Sequence, residues 1–190
     1  MKEIIKIEKP VPSKINFIDF NIEKEQWNKY RIADGTELKA RFVLQQVLVD
    51  KSMDELEKEL KSIEGDGSIA FGFGFKGNKL FTVEPPVNLR GNPDSNKYRV
   101  EELRESIVEE DIDFDTVNSS WNIYQLKNRI SFKCRLLVTT VSRTNKFDDL
   151  GIPTYLIDST LELKVTLPPK LERIIKKKQK ALKETKSSDN

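Results

Sequence analysis

Two stretches of the chain, residues 18–47 and 112–141, resemble each other at a constant offset of 94 positions. Nine of the thirty aligned residues are identical, whereas unrelated stretches of this length share roughly two. The identical residues of the first stretch are Ile18, Asp19, Phe20, Trp27, Asn28, Tyr30, Lys39, Arg41 and Val47. Both tryptophans of the chain are among these matches. The repeat predicts an internal duplication, in which one structural unit occurs twice.

Each stretch has the residue pattern of a β-hairpin. In the first, an Asp-Gly pair at positions 34–35 marks a tight turn. Apolar residues then occupy positions 38, 40, 42 and 44, while Lys39 and Arg41 lie between them, which predicts a strand with one buried face and one solvent face. The second stretch has the same alternation, with Cys134 at the place of Ala40. This alignment indicates a small core residue rather than a reactive thiol.

The rest of the chain predicts short helices between further strands. Ser52 and Glu55 have the spacing of a capping box, so we expect a helix over residues 52–63. Residues 68–84 predict a second hairpin with its turn at positions 76–78. Further elements are expected as a helix near residues 100–108, a polar loop at 145–153 and a strand at 161–167.

These patterns predict a β-rich α+β protein made of two tandem related subdomains. Each subdomain consists of antiparallel hairpins with one or two short helices. We place the first subdomain at residues 1–90 and the second at 91–169, because turn-forming residues cluster at 88–96. Residues 170–190 then form a basic C-terminal helix or tail.

The composition excludes several classes of protein. With one cysteine and no histidine, the chain cannot form an internal disulfide or a zinc site built on these residues. Charged residues interrupt the apolar residues near Met1 too often for an export signal, and no apolar run is long enough to span a bilayer. We therefore expect a cytoplasmic protein that has no membrane partner.

Basic residues are concentrated on the two repeated strands and at the C-terminal end. Residues 170–190 contain eight lysines and arginines against three acidic residues, although the net charge of the chain is only +2. The candidate binding residues are Lys39, Arg41, Lys133, Arg135, Arg173, Lys176, Lys177 and Lys178. They predict binding to phosphates or to an acidic partner. The alternative is that glutamates such as Glu37 or Glu162 neutralise the strands, and that the tail only maintains solubility.

Three further motifs do not predict a catalytic or cofactor site. The glycines of residues 72–77 have the spacing of a dinucleotide-binding loop, but a strand rather than a helix follows them. The phenylalanines of residues 71–75 are more typical of a core than of a base-stacking surface. The acidic residues at 109–115 lack the glycine and the bidentate glutamate of a calcium loop. We predict no catalytic residue, no cofactor and no metal site.

Parts of both stretches resemble a group of proteins of unknown function. The string from Trp121 to Arg143, followed by the motif at residues 151–155, is similar to short β-rich archaeal proteins. The string from Trp27 to Thr36 resembles them as well. The resemblance covers about half of the chain and implies a β-rich fold, but it implies no active site.

The sequence favours a non-enzymatic binding or assembly protein over an enzyme. In this hypothesis, a duplicated β scaffold docks on a nucleic acid, a nucleoprotein or a protein assembly through its basic strand faces and tail. An alternative is a structural subunit of a multi-protein or virion-like assembly, in which strand edges pair with neighbouring copies in an oligomer. A carboxylate- or metal-dependent enzyme is the third hypothesis, and it requires a pocket where carboxylates converge.

Overall fold

The computed structural model of the protein describes residues 4–63 and 68–188. Within these ranges the chain forms two β-sheets and three α-helices, which confirms the expected β-rich α+β class. The strands are β1 (Ile5–Glu8), β2 (Asn16–Ile18), β3 (Phe20–Lys24), β4 (Asn28–Ile32), β5 (Glu37–Val49), β6 (Ile69–Glu84), β7 (Ile107–Glu109), β8 (Phe114–Asn118), β9 (Asn122–Leu126), β10 (Ser131–Phe147) and β11 (Pro153–Thr166). The helices are α1 (Met53–Ser62), α2 (Val100–Glu105) and α3 (Pro169–Ser188).

Each sheet is built on one pair of long antiparallel strands. The first sheet has the order β1-β6-β5-β4-β8, with β2 added on β5, and only the β1–β6 pair is parallel. The second sheet has the order β11-β10-β9-β3, with β7 added on β10. Both central strands contain a bulge, at Gln45 in β5 and at Thr139 in β10. The two bulges are 94 positions apart, so the irregularity occurs at the same place in each repeated stretch.

One strand from each half lies in the sheet of the other half. Strand β3 pairs with β9 in the second sheet, and β8 pairs with β4 in the first sheet. The two exchanges match: Phe20 lies opposite Leu126, and Phe114 lies opposite Ile32, at the constant offset. Because of this exchange, the two expected subdomains share their sheets and contribute to one hydrophobic core.

Two buried asparagines connect the sheets through matching hydrogen bonds. Asn28 Nδ2 donates to the main-chain oxygen of Leu136 at 2.7 Å, and Asn28 Oδ1 accepts from the amide of Ser120 at 2.8 Å. Asn122 makes the same two bonds, at 3.0 and 2.9 Å, to the residues 94 positions before these partners. Each asparagine therefore bonds one carbonyl and one amide across the two sheets, and a tyrosine hydroxyl donates to the same carbonyl at 3.3 Å.

The core between the sheets contains a cluster of aromatic side chains. The ring centroids of Phe73 and Phe75 lie 5.6 and 5.3 Å from that of Phe132 in the facing sheet. Tyr30 and Tyr124 are also buried, and each hydroxyl bonds to the backbone of the central strand of the other sheet. The phenylalanines of β6 thus belong to the core, which confirms the expectation from their pattern.

The predicted turn at residues 76–78 is wrong, because β6 runs through these residues without interruption. Its pairing with β5 continues on both sides of the bulge. Gly77 lies against the ring of Phe42 and the carbonyl of Val43, and a Cβ at this position would approach both to 2.3 Å. Close packing, rather than a turn, therefore explains the glycine.

Two other boundaries differ from the expectation. Helix α2 ends at Glu105, and β7 begins at Ile107, so residues 107–108, which the sequence pattern assigns to this helix, lie in a strand instead. The polar loop is confined to residues 148–152, because β10 continues to Phe147 and β11 begins at Pro153. In both places, pairing with β10 supplies backbone hydrogen bonds that a local sequence pattern does not reveal.

Helices α1 and α3 pack against each other. Helix α1 begins at the capping box of Ser52 and Glu55, which confirms the predicted helix. Its Leu56 and Leu60 are fully buried in the core. At the start of α3, Leu171 is buried as well, so the C-terminal helix is anchored on the body of the protein.

Candidate functional site

Ion pairs neutralise the repeated basic residues of the first sheet. Lys39 Nζ contacts the carboxylate of Glu84, and Arg41 Nη1 lies 3.2 Å from Oε1 of Glu25. The hydrogen bond between Lys39 and Glu84 raises the pKa of the lysine and lowers the pKa of the glutamate. These two cations are therefore balanced by carboxylates of the same chain.

The two repeated arginines lie on the two repeated tryptophans. The guanidinium carbon of Arg41 is 4.5 Å from the ring centroid of Trp27, and that of Arg135 is 4.8 Å from the centroid of Trp121. Arg135 also contacts Glu162, with 2.6 Å between Nη2 and Oε2. Cation–π contact and ion pairing hold both arginines in fixed positions on half-buried indole rings.

Three lysines lie in one row across the outer face of the second sheet. Lys133 on β10 is directly opposite Lys164 on β11 and, on its other side, opposite Ile123 on β9. Lys24 on β3 lies beyond Ile123. We refer to Lys24, Lys133 and Lys164 as the lysine row. Because neighbouring strands are about 4.8 Å apart, Lys133 and Lys164 are close enough to contact one anion together.

The lysine row has no carboxylate partner in the part of the chain that the structure describes. Glu162, two residues from Lys164 on the same strand, is already bonded to Arg135. Like charges directly opposite each other destabilise a sheet. The charge of the lysine row is therefore not balanced by an ion pair in the described chain. The pairing of Lys133 with Lys164 is unfavourable.

A shallow cavity of about 440 Å³ lies along the lysine row. Its other lining residues are Ser119, Ser120, Trp121 and Ile123. The main-chain amide of Ser120 is held by Asn28, which fixes the serine segment beside the lysines. Ammonium and hydroxyl groups both donate hydrogen bonds, so the cavity can bind the oxygen atoms of a phosphate group.

The equivalent row of the first sheet is arranged differently. Lys29 and Lys39 lie opposite each other, and Thr82 follows Lys39 at the place that Lys164 has in the second sheet. Glu84, two residues from Thr82, contacts Lys39 and lies near enough to Lys29 for both charges to lower its pKa. One carboxylate, that of Glu84, therefore balances the first row, whereas no carboxylate of the described residues pairs with the lysine row.

The exposed side of α3 forms a second basic surface. Arg173, Lys176 and Lys177 are exposed and follow each other at the spacing of one helical face. We refer to these three residues as the helix stripe. They border a groove of about 530 Å³ between α3 and α1. None of the three forms an ion pair within residues 4–63 and 68–188, while the neighbouring Lys170 contacts Glu57 at 2.7 Å.

Lys178 has a structural contact instead. Its ammonium group donates hydrogen bonds to the main-chain oxygens of Lys61 and Ile63, at the C-terminal end of α1. A lysine at this place satisfies carbonyls that the helix leaves without partners and holds α3 against α1. Four of the eight predicted binding residues have no carboxylate or main-chain hydrogen-bond partner in the described ranges: Lys133, Arg173, Lys176 and Lys177.

Four residues of this site are not among the candidates that the sequence pattern predicts: Lys24, Lys164, Ser119 and Ser120. Lys164 is visible as a charged position in an alternating strand, but its partner strand is not. Lys24 belongs to the strand that is exchanged between the halves. Only the registers of β3 with β9 and of β10 with β11 bring these residues together.

Cys134 is fully buried, as expected for a core residue. Burial, together with the nearby charge of Glu25, raises the pKa of its thiol to about 12. The thiol therefore remains protonated and unreactive at neutral pH. Among the residues that the structure describes, no three acidic or cysteine side chains are grouped closely enough to hold a metal ion.

No protein-family model matches the chain, and no curated protein or solved structure is significantly similar to it. The resemblance to short β-rich archaeal proteins stays a prediction. No helix of the described chain has the length and apolar character that a membrane crossing needs. The geometry of the lysine row and the helix stripe is therefore the basis for a functional proposal.

Proposed function

We propose that the protein binds nucleic acid through the lysine row and the helix stripe and does not act as an enzyme on it. The observation that carries the proposal is the pair of Lys133 and Lys164, which face each other on neighbouring strands without a carboxylate in the described chain. A phosphate between the two ammonium groups would offset their repulsion. The binding surface would be electrostatic and largely independent of base sequence.

The two basic surfaces are close enough to contact one nucleic acid. Lys164 precedes the first residue of α3, Pro169, by five residues. Five residues span at most about 18 Å even when fully extended, and the helix from Pro169 to Lys177 adds about 12 Å. The resulting limit of about 30 Å corresponds to about nine nucleotides along one strand of a duplex, at about 3.4 Å for each nucleotide. A short oligonucleotide could therefore reach both surfaces.

Salt dependence of binding is the first test. Fluorescence anisotropy with a labelled 20-nucleotide single strand, and separately with a duplex, would give the affinity at several salt concentrations. If all six cations contact phosphates, the logarithm of the binding constant should fall against the logarithm of salt with a slope of about −4 for the single strand. Replacing the helix stripe with Arg173→Ala, Lys176→Ala and Lys177→Ala should reduce that slope by about 2.

A matched variant tests whether binding depends on the positions of these cations or only on the net charge of the protein. Lys6, Lys58 and Lys97 are exposed lysines that lie outside both surfaces, and their replacement by alanine changes the net charge of the protein by the same amount. This control should bind almost as tightly as the unaltered protein. Binding that does not depend on salt, or that weakens equally in the control, would contradict the proposal.

We also infer that the two halves derive from a duplicated unit whose strands were exchanged. The inference is supported by the matching asparagine bonds, the matching bulges and the matching exchange of β3 and β8. Such an arrangement is equivalent to a strand-exchanged dimer fused into one chain. If the two halves are equivalent, matching residues such as Asn28 and Asn122 should contribute about equally to stability.

The long edge strand β11 favours a second candidate function, as a subunit of a larger assembly. β11 contains 14 residues and pairs on one side only in the described structure. An unpaired edge of this length can add a strand from another chain. Lys79 covers one carbonyl of this strand, that of Ser159, at 3.0 Å.

If β11 joins copies of the chain, light scattering should give a mass well above 22.0 kDa at high concentration. A monomer at millimolar concentration would remove this candidate.

A further inference from the structure

Two serines leave space for the cavity along the lysine row. Ser119 and Ser120 line this cavity, and the residues 94 positions before them are Glu25 and Gln26. In the first half, the carboxylate of Glu25 accepts a hydrogen bond from the hydroxyl of Tyr124 at 2.9 Å. A serine side chain is much shorter than that of glutamate or glutamine. The second half is therefore open, and without a carboxylate, where the first half has two long side chains.

The floor of the cavity is apolar. Ile123 on β9 lines it, and the equivalent residue of the first half is Lys29 on β4. The neighbouring strands match as well, because Ile123 lies opposite Lys24 as Lys29 lies opposite Asn118. A surface that contacted only phosphate would gain from a further cation at this place. The isoleucine instead favours a ligand that has an apolar part beside its anionic part.

Trp121 lines the cavity beside this floor. Its indole is half-buried, and the guanidinium carbon of Arg135 lies over the ring at 4.8 Å from the centroid. The described residues that line the cavity do not include Arg135, so the cavity contacts a part of the indole that the guanidinium leaves uncovered. The cavity thus offers a preformed aromatic contact for a planar ligand.

The cations lie on both sides of the apolar floor. Lys133 and Lys164 face each other on one side of Ile123, and Lys24 lies on the other. A nucleotide combines a planar base with an anionic phosphate, and the volume of about 440 Å³ is in the range of ligand sites, about 300 to 1,000 Å³. In a duplex the faces of a base are stacked on its neighbours, whereas an unpaired base can stack on a protein side chain.

We propose that this cavity binds an unpaired nucleotide, with its base against Trp121 and Ile123 and its phosphate between Lys133 and Lys164. The inference rests on the proposed binding of nucleic acid and adds that the bound strand is single at this point. Every base has an aromatic face, so this contact does not depend on base sequence.

A strand without bases tests the inference directly. Fluorescence anisotropy would compare a labelled 20-nucleotide single strand with an abasic strand that has the same number of phosphates, at one salt concentration. The abasic strand should bind at least about fivefold more weakly, because it keeps the phosphate contacts and loses the stacking contact. The salt dependence of binding should be the same for both strands.

The two tryptophans provide a matched pair of variants. Trp121→Leu should weaken binding of the single strand at least about fivefold and binding of the abasic strand less than about twofold. Trp27→Leu changes the equivalent residue of the first half, which lies outside the cavity and precedes Lys29 instead of Ile123. This control should change the affinity for either strand by less than about twofold.

Tryptophan fluorescence gives a readout that leaves Trp121 in place. The chain has two tryptophans, so Trp27→Phe makes the emission of Trp121 the only tryptophan signal. A saturating single strand should quench this emission, because a base stacks on the indole. A saturating duplex or abasic strand should not quench it. In Trp121→Phe, the emission of Trp27 should not respond to the single strand.

The outcomes separate this inference from the proposed function. Equal binding of the normal and abasic strands, equal effects of Trp121→Leu and Trp27→Leu, or unchanged emission of Trp121 at saturation would each overturn the inference. Salt-dependent binding of both strands would still support the proposed function in those cases. Binding that does not depend on salt would contradict the proposed function, whatever the response of Trp121.

Discussion

The outer faces of the two sheets have the same scaffold and a different balance of charge. In the first, Lys39 lies opposite Thr82 and contacts Glu84. In the second, the equivalent Lys133 lies opposite Lys164, and Thr166 is at the place of Glu84. The asparagines that connect the sheets are alike in the two halves, whereas the residues opposite Lys39 and Lys133 differ. This difference supports the proposal that phosphate binds on the face of the second sheet.

The largest expected effect concerns the shared scaffold. Asn28→Ala and Asn122→Ala should each lower the free energy of unfolding by about 1–3 kcal/mol, because each leaves a half-buried main-chain amide without its partner and a buried carbonyl with only a tyrosine hydroxyl at 3.3 Å. The two losses should agree within about 1 kcal/mol, since the bonds are equivalent. Urea unfolding of both variants measures the comparison.

An exposed asparagine provides the control for this pair. Asn21→Ala, on the outer side of β3, should change stability by less than about 0.5 kcal/mol. If one of the buried asparagines proved as tolerant as Asn21, the two halves would not be equivalent in energy. The inference of a duplicated unit would then lose its main support.

Local patterns were enough to predict several elements of the fold. The capping box at Ser52 and Glu55 fixes the start of α1 within four residues, so no distant contact is needed to recognise it. The alternation after the turn at positions 34–35 predicts the inner face of β5, and the repeat predicts the same face in β10. In these cases the periodicity of burial is a property of consecutive residues.

Contacts between residues that are distant in the sequence determine the features that local patterns did not predict. Gly77 looks like a turn residue, but the ring of Phe42 on the neighbouring strand is the reason for it. The exchange of β3 and β8 depends on which of two similar hairpins each strand joins. The lysine row depends on two strand registers at once, so Lys24 and Lys164 could not be placed beside Lys133 from spacing alone.

The next effect concerns a core position where the halves differ. Cys134 is at the place of Ala40, and burial raises the pKa of its thiol from 9.0 to about 12. The folded state therefore holds this proton while the unfolded state releases it above about pH 9. Stability from this group is complete below pH 9 and is lost as the pH rises towards 12. Between pH 8 and pH 10 the loss should be about 1 kcal/mol.

Cys134→Ala should remove this alkaline loss. Unfolding by urea at pH 8, 9 and 10 would compare the pH dependence of the variant with that of the unaltered protein. The variant should lose about 1 kcal/mol less between pH 8 and pH 10. Parallel pH profiles for the two proteins would show that the thiol titrates normally in the folded state.

The smallest expected effect concerns the unbalanced charges themselves. Lys164→Glu should raise the free energy of unfolding by about 0.2–1 kcal/mol, because it places an opposite charge directly across from Lys133. Thr82→Lys should lower it by a similar amount, because it places a second like charge opposite Lys39, which already lies opposite Lys29. Thermal unfolding at low salt would measure both. A stabilising Thr82→Lys or a destabilising Lys164→Glu would contradict the cost that we assign to the like-charge pair.

The central claim is that the face of the second sheet binds phosphate and that of the first sheet does not. The most direct measurement is the affinity of Lys133→Ala and Lys39→Ala for the same labelled 20-nucleotide strand at one salt concentration. These variants remove the same charge from equivalent positions. We predict that Lys133→Ala weakens binding about threefold to tenfold and that Lys39→Ala leaves it unchanged. Equal weakening by both, or no weakening by Lys133→Ala, would contradict the claim.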